Sequence, residues 1–482
     1  MMSISNRIFV WIFSAILFFA SALYAYSQEI LFLAISLVVL VVLFLIQYPR
    51  YLFYLLIISI PWSFEISFNR TLATDLPDEP LMLVASLSVL IYLIHHRKAI
   101  QVKPMHVLSV IIILQFLWIC ITMITSTDFI LSVKYLLAKG WYLLAFFVLP
   151  VILFQDINLL KKCVLLFLCS MLIITTIVVI KQGVDDWSFE KVNEAVRPFF
   201  RNHVNYSSLL IFMVPLLVAV VRLSGSKRLK WILYFILAGI LLAIYFSYAR
   251  GAWLALLGGF LAYWLLHKRI LVFSFVFFLV VIVVGVFWLK TSDRFMKFSN
   301  DYKSTIYHSN FEEHIVATYQ LKDLSNAERI YRWIAGIRMV KDKWQTGFGP
   351  STFYSQYKSY TLPAFKTYVS KNPEKSTVHN YFLLILIEQG IIGCLLFVML
   401  ITVMFYYAQK IYFSTNEKFW KVVSASIASI LVMQCVVNFL SDMIETDKVG
   451  SVFYLCLAAL VIADSKTRRE KSDLPTHIQR IP

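Results

Sequence analysis

The chain has 482 residues, 60% of them hydrophobic and 15% charged, which excludes an ordinary soluble protein, where charge is nearer a quarter. Its net charge of +17 does not indicate nucleic acid as a partner, because the basic residues stand at the ends of apolar runs (His95-His96-Arg97-Lys98, Lys161-Lys162, Lys227-Arg228-Leu229-Lys230, His267-Lys268-Arg269, Lys466 to Lys471), as in cytoplasmic loops of membrane proteins. Six cysteines without a C-x-x-C pair read as small buried residues, not as a disulfide framework or a metal site.

Taken in order, Met1 to Ala25 resembles a signal peptide, but its Ala-Leu-Tyr-Ala-Tyr-Ser end is a weak cleavage signal and more spans follow, so a retained first helix is expected. Fourteen apolar runs follow one another, at 8–26, 29–47, 51–68, 81–95, 106–125, 134–154, 161–181, 205–222, 230–248, 251–267, 270–289, 380–409, 419–440 and 449–464. With an early run paired or re-entrant, they predict an all-α polytopic membrane protein of 12–14 transmembrane helices. Placing all five basic clusters in the cytoplasm makes the spans alternate consistently, with both termini inside. The expected organisation is 1–289 as N-terminal transmembrane helices, 290–379 as an outward-facing loop or cap, 380–464 as C-terminal transmembrane helices, and 465–482 as a polar, disordered cytoplasmic tail.

The stretch from Leu289 to Asn380 is the one long polar segment. Within it, Ser325-Asn326-Ala327-Glu328 fits a capping box, and Ile330, Trp333, Ile334, Ile337, Val340 and Trp344 follow at helical spacing. Such a helix suits the membrane surface or the top of a bundle. On its wheel Arg329 flanks the apolar stripe while Arg332 points away from it, towards water. Gly347-Phe348-Gly349-Pro350 closes the unit. His379-Asn380 re-enters the membrane, and a histidine in the first turn of that helix would be kept neutral by the dipole. It reads as a base, or as a residue that caps the helix or anchors it at the interface.

Arg201, Arg250 and Arg329 stand at span ends on the same side as His379. Guanidinium forms bidentate bonds with phosphate oxygens, so converging arginines suit a diphosphate held at the lipid surface. Each one alone reads equally as an interfacial anchor. Glu388 falls about 13 Å into its span and should face the bundle interior, shaping a groove or bonding a neighbouring helix. Lys139 lies within a span and could reach a phosphate, whereas Asp442 and Glu445, on an outer turn, read as solvated acids.

These residues carry a resemblance. Ser247-Tyr248-Ala249-Arg250-Gly251-Ala252-Trp253-Leu254 looks like the S-x-x-R-G-A-W-L stretch of the O-antigen ligase/polymerase family of bacterial envelope enzymes. Arg329 to Trp333, continuing to Gly347-Phe348-Gly349, is similar to that family's R-x-x-x-W helix and G-x-G. His379-Asn380-Tyr381-Phe382-Leu383, running to Glu388-Gln389-Gly390 and Gly393, resembles its H-N-x-x-L…E-x-G-x-x-G. The resemblance implies a metal-independent membrane glycosyltransferase of the C-type class without a cofactor. Its donor would be a polyprenyl (undecaprenyl) diphosphate-linked oligosaccharide and its acceptor a hydroxyl of lipid A-core or another glycan, at the periplasmic face of the bacterial inner membrane. Arg250 and Arg329, and less closely Arg201, match diphosphate-holding positions, and His379 matches the position that activates the acceptor. Arg332, Glu388 and Lys139 are secondary candidates. A polymerase, a protein O-oligosaccharyltransferase and, in another class, a lipid-linked glycan transporter are the alternatives.

Overall fold

All fourteen apolar runs form helices in the computed structural model of the chain, which describes residues 6–27, 29–67, 73–95, 105–290, 324–366, 370–372 and 376–472. Much of the expected 290–379 cap (291–323, 367–369 and 373–375) and the last ten residues of the tail lie outside the described residues. The helices are α1 (Asn6–Ser27), α2 (Ile30–Gln47), α3 (Pro49–Trp62), α4 (Asp78–His95), α5 (Val107–Ile124), α6 (Phe129–Leu153), α7 (Ile157–Val184), α8 (His203–Leu223), α9 (Lys227–Phe246), α10 (Arg250–His267), α11 (Leu271–Lys290), α12 (Leu324–Asp342), α13 (Tyr381–Ser414), α14 (Lys418–Leu440) and α15 (Asp447–Ser472).

Ten of these are long and apolar enough to cross a membrane, or up to eleven if α2 and α3, bent by 109°, form one span. The run expected at 51–68 stops as a helix at Trp62, where Ser63 adopts an extended conformation. It continues as β1 (Phe64–Ser67), paired antiparallel with β2 (Ala73–Leu76) in the register Phe64 opposite Leu76. The tail also departs from expectation: α15 continues to Ser472, with Arg468 one turn beyond buried Asp464 and 2.6 Å from its carboxylate.

The chain divides into two compact units, residues 1–104 with 141–170, and residues 105–140 with 171–482. In the first, Phe53 packs edge-on to Phe154, and Ser170 Oγ donates to the Ile58 carbonyl. The second unit holds every candidate site residue. Its centre is α15, whose span is 83% buried, with α8 and α14 at 67%, while α11, at 6%, presents nearly all its surface outward. Lipid is as apolar as leucine, so close helix contact here depends on small residues. Gly251, Gly258 and Gly259 let α10 approach α14; a methyl at Gly259 would overlap Met433, and one at Gly251 would come within 3.2 Å of Leu440.

Candidate active site

His379 occupies a hinge, not the helix. Asn380 is the N-cap of α13, its Oδ1 accepting from Leu383 N at 3.0 Å, so His379 precedes the first turn. It takes a left-handed φ of 54°, uncommon for a residue with a Cβ. This corrects the expectation that the helix dipole acts on it directly. Tyr381 N donates to the Ser441 carbonyl, tying the hinge to the end of α14. His379 Nδ1 thereby stands 4.0 Å from Asp442 Oδ1.

Two arginines of α12 act on this imidazole. Burial, then the positive charges of Arg332 and Arg329, hold its pKa down to about 3, although 32% of the side chain remains accessible. Arg332 does not face water as its wheel position suggested. It is 6% exposed, donating to Glu328 Oε2 at 3.1 Å and to the Thr377 carbonyl at 3.3 Å. The buried face of α12 is Ala327, Glu328, Tyr331, Arg332, Ala335 and Met339, whereas Ile337 and Trp344 of the predicted apolar stripe are exposed. The reason is tertiary. Gly336 approaches Ile387 and Leu383 of α13, and α12 side chains bond Tyr360, Ser370 and Thr377. The apolar stripe is left to the surroundings. Arg329 lies at the edge of the buried face, half-exposed, with Nη1 3.2 Å from Asn326 Oδ1.

The acids of the 441–446 turn are not solvated. Asp442 is 18% exposed in its side chain, and burial raises its carboxyl above the usual range, opposed by a hydrogen bond from the Thr377 hydroxyl and reinforced by the charge of Glu445. Glu445 accepts from Lys139 Nζ at 3.0 Å and from Tyr135 OH at 3.0 Å. Lys139, 7% exposed, is therefore committed to Glu445 and not turned towards a phosphate. Beneath the turn, Asn438 Oδ1 accepts from Ile444 N at 2.9 Å. The only advance signal for these acids was their position, three residues apart in a short turn between spans.

Glu388 serves another part of the structure. Gly390 breaks α13 with φ 68° and ψ −170°. The carbonyls freed at Ile387, Glu388 and Gln389 are taken by Phe348 N (2.9 Å), Gly349 N (2.9 Å) and Trp118 Nε1 (2.8 Å), while Ile391 N donates to the Trp344 carbonyl (2.8 Å). The Glu388 carboxylate accepts from Ser351 N at 2.8 Å and Phe353 N at 3.0 Å. Residues 344–353 thus plug the break, and Glu388 staples the plug instead of lining a groove. Irregular backbone inside a membrane is tolerated only where protein covers it. A side chain on Gly390 or Gly347 would strike the opposing backbone, with a Cβ 2.1 Å from Gln345 O or 2.4 Å from the Glu388 carbonyl carbon.

Arg250 opens α10, and its neighbour Gly251 lies against Leu440, the residue before Ser441 and Asp442, which puts the start of α10 near the end of α14. Arg201 is exposed, directly before the Asn202 cap of α8, and its neighbour Phe200 lies under Lys448 Nζ at 4.8 Å, at the start of α15. His379, Arg329, Arg332, Asp442 and Glu445 form one electrostatic cluster; Arg250 and Arg201 border its end of the unit. Among the described residues, no three or more His, Cys, Asp and Glu side chains gather in a group able to hold a metal.

Residues 233–398 match a family model described as O-antigen ligase. The matched stretch runs from α9 past the break in α13 and includes Arg250, Arg329, Arg332, His379 and Glu388. Arg201, Lys139, Asp442 and Glu445 lie outside it. No curated protein matches the chain.

Proposed function

This chain belongs, through residues 233–398, to the O-antigen ligase family, and from that premise we propose that it transfers a glycan from a polyprenyl diphosphate donor to an acceptor hydroxyl. In O-antigen or polysaccharide assembly the acceptor we assign is lipid A-core, the reaction facing the periplasm from the inner membrane. The observation that carries the reading is the juxtaposition of a neutral, partly accessible imidazole with arginine charge at a span end.

In the step we infer, the acceptor oxygen bonds to the anomeric carbon and the bond from that carbon to the diphosphate oxygen breaks. The hydroxyl proton passes to His379, and polyprenyl diphosphate leaves. Arg329 and Arg250, with Arg201 at the margin, neutralise the leaving charge, which guanidinium does without a metal. Asp442 faces Nδ1, so Nε2 is the nitrogen turned to the acceptor, and the carboxylate steadies the imidazolium once formed.

A base whose pKa is about 3 is a poor proton acceptor, because efficiency is best with a pKa near the working pH. Donor binding corrects this. A diphosphate anion on the arginines offsets the charge part of this depression and moves the His379 pKa upward, while burial still holds it below its ordinary value. The base is therefore armed only when the donor is present.

The test is transfer from purified lipid-linked donor by the wild-type protein and an Arg250→Glu variant at equal membrane abundance. The reading expects transfer to be lost with Arg250→Glu, and Arg250→Lys to keep part of it, since charge survives without the fork. Wild-type rates in Arg250→Glu would remove Arg250 from diphosphate binding.

A further inference from the structure

We propose that the buried Glu328–Arg332 pair is a positioning latch for His379, acting through Thr377. The inference rests on the reading of His379 as acceptor base and assigns Arg332 a task distinct from diphosphate binding.

Thr377 is a junction. Its carbonyl accepts from Arg332 Nη1 at 3.3 Å, its hydroxyl bonds the Asp442 carboxylate, and His379 N donates to Thr377 Oγ1 at 3.4 Å. One residue thus fixes the imidazole's backbone and its acidic neighbour together. Arg332 is held from behind by Glu328 Oε2 at 3.1 Å, and Glu328 Oε1 in turn accepts from Ser370 Oγ at 2.5 Å. The α12 helix therefore grips Ser370 and Thr377. Asn372 bonds Ser376 twice, with Nδ2 donating to the Ser376 carbonyl at 2.8 Å and Oδ1 accepting from Ser376 N at 2.9 Å. Without the grip, nothing in α13 dictates the left-handed turn at His379, because the helix begins only after the Asn380 cap.

Both members of the pair are 6% exposed, so Arg332 is spent inside the protein, whereas Arg329 is only half-buried. The charges on the imidazole are Arg329 and Arg332 from α12 and Asp442 from the turn before α15, with Glu445 behind Asp442 and paired to Lys139 of α6. Arg332 thus adds to the positive field on His379 and aims the ring as well.

The experiment uses the full-length purified protein and three variants, Arg332→Lys, Thr377→Val and Glu328→Gln with Arg332→Gln, the last removing both charges so that none is left buried alone. One readout is kcat and KM for the lipid-linked donor. The other is carbethoxylation of His379 by diethyl pyrocarbonate from pH 5 to 8, read by mass spectrometry, which reports neutral imidazole without turnover. A displacement of about 1 Å at a reacting group can cost on the order of 10²-fold, so the double variant should lose about that much in kcat with donor KM within about threefold. Its His379 should also begin to lose reactivity at a higher pH than the wild type does, because one of the two arginine charges that depress it is gone. Arg332→Lys should keep the wild-type profile and recover part of the rate; Thr377→Val should lose kcat, not KM. A double variant with wild-type kcat and the wild-type profile overturns the latch, as does a raised KM at unchanged kcat, which would make Arg332 a donor ligand. If His379→Ala itself retains full transfer, the base reading fails, and the carbethoxylation profiles alone still decide whether Arg332 governs His379.

Discussion

The break in α13 and the hinge just before it lie about ten residues apart and are built on opposite terms. At the break, the carbonyls of Ile387, Glu388 and Gln389 each have a donor, and the one carboxylate present accepts two backbone amides. At the hinge, a partly accessible imidazole faces arginine charge on one side and a buried acid on the other. A satisfied site resists change, whereas an electrostatically uneven one responds to a ligand that restores balance. The break and His379 belong to the stretch that matches the family model, while Asp442 and Glu445, which face the hinge, lie outside it.

The largest effect that separates the two regions should come from His379→Ala. General-base contributions are typically 10²–10⁴-fold, and transfer from purified donor should fall by about that factor while donor binding persists on the arginines. A loss of binding with little loss of kcat would move His379 into the diphosphate site.

Substitution at the break should act on a different quantity. Gly390→Ala forces a Cβ against the Gln345 carbonyl at a φ of 68°, and Glu388→Gln places an amide N–H against a backbone donor. An unsatisfied or clashing buried group costs about 1–3 kcal/mol, so thermal melting in detergent should fall, with Gly390→Ala the more severe. The protein that remains folded should transfer glycan with an unchanged pH profile. A shifted pH profile with normal melting would make Glu388 part of the chemistry and collapse the distinction between the regions.

The same contrast explains what was legible in the sequence. The helices were readable because a membrane helix must be apolar wherever it lies, although ten or eleven of the fourteen apolar runs are long and apolar enough to be spans. Gly347, Gly349 and Gly390 were visible as a pattern, but their shared purpose is a contact between segments about forty residues apart, and periodicity does not report that. Arg332 was misjudged for a related reason: a wheel ranks faces by hydrophobicity, and in a membrane the apolar stripe of α12 can face outward while its charged face is covered by protein. Asp442 and Glu445 looked like surface acids because a short turn between spans shows nothing of the His379 and Lys139 that meet it. His379 was singled out from its place at a span end, but its lowered pKa comes first from burial and then from the charges of Arg332 and Arg329, neither of which a span position reports.

The central claim is that the donor arms His379, and the most direct measurement is the pH dependence of kcat and of kcat/KM for transfer from purified lipid-linked donor, in wild type and His379→Gln. The limb in kcat/KM reports the free enzyme and the limb in kcat the donor complex. A base must be neutral, so rate is lost as pH falls through its pKa. With His379 at about 3 in the free protein, wild-type kcat/KM should stay flat down to about pH 5, while the acid limb in kcat should lie at a higher pH than that in kcat/KM. His379→Gln should lose that limb together with most of the rate. Near-normal turnover by His379→Gln with the wild-type profile would contradict the account and leave His379 a structural residue of the hinge.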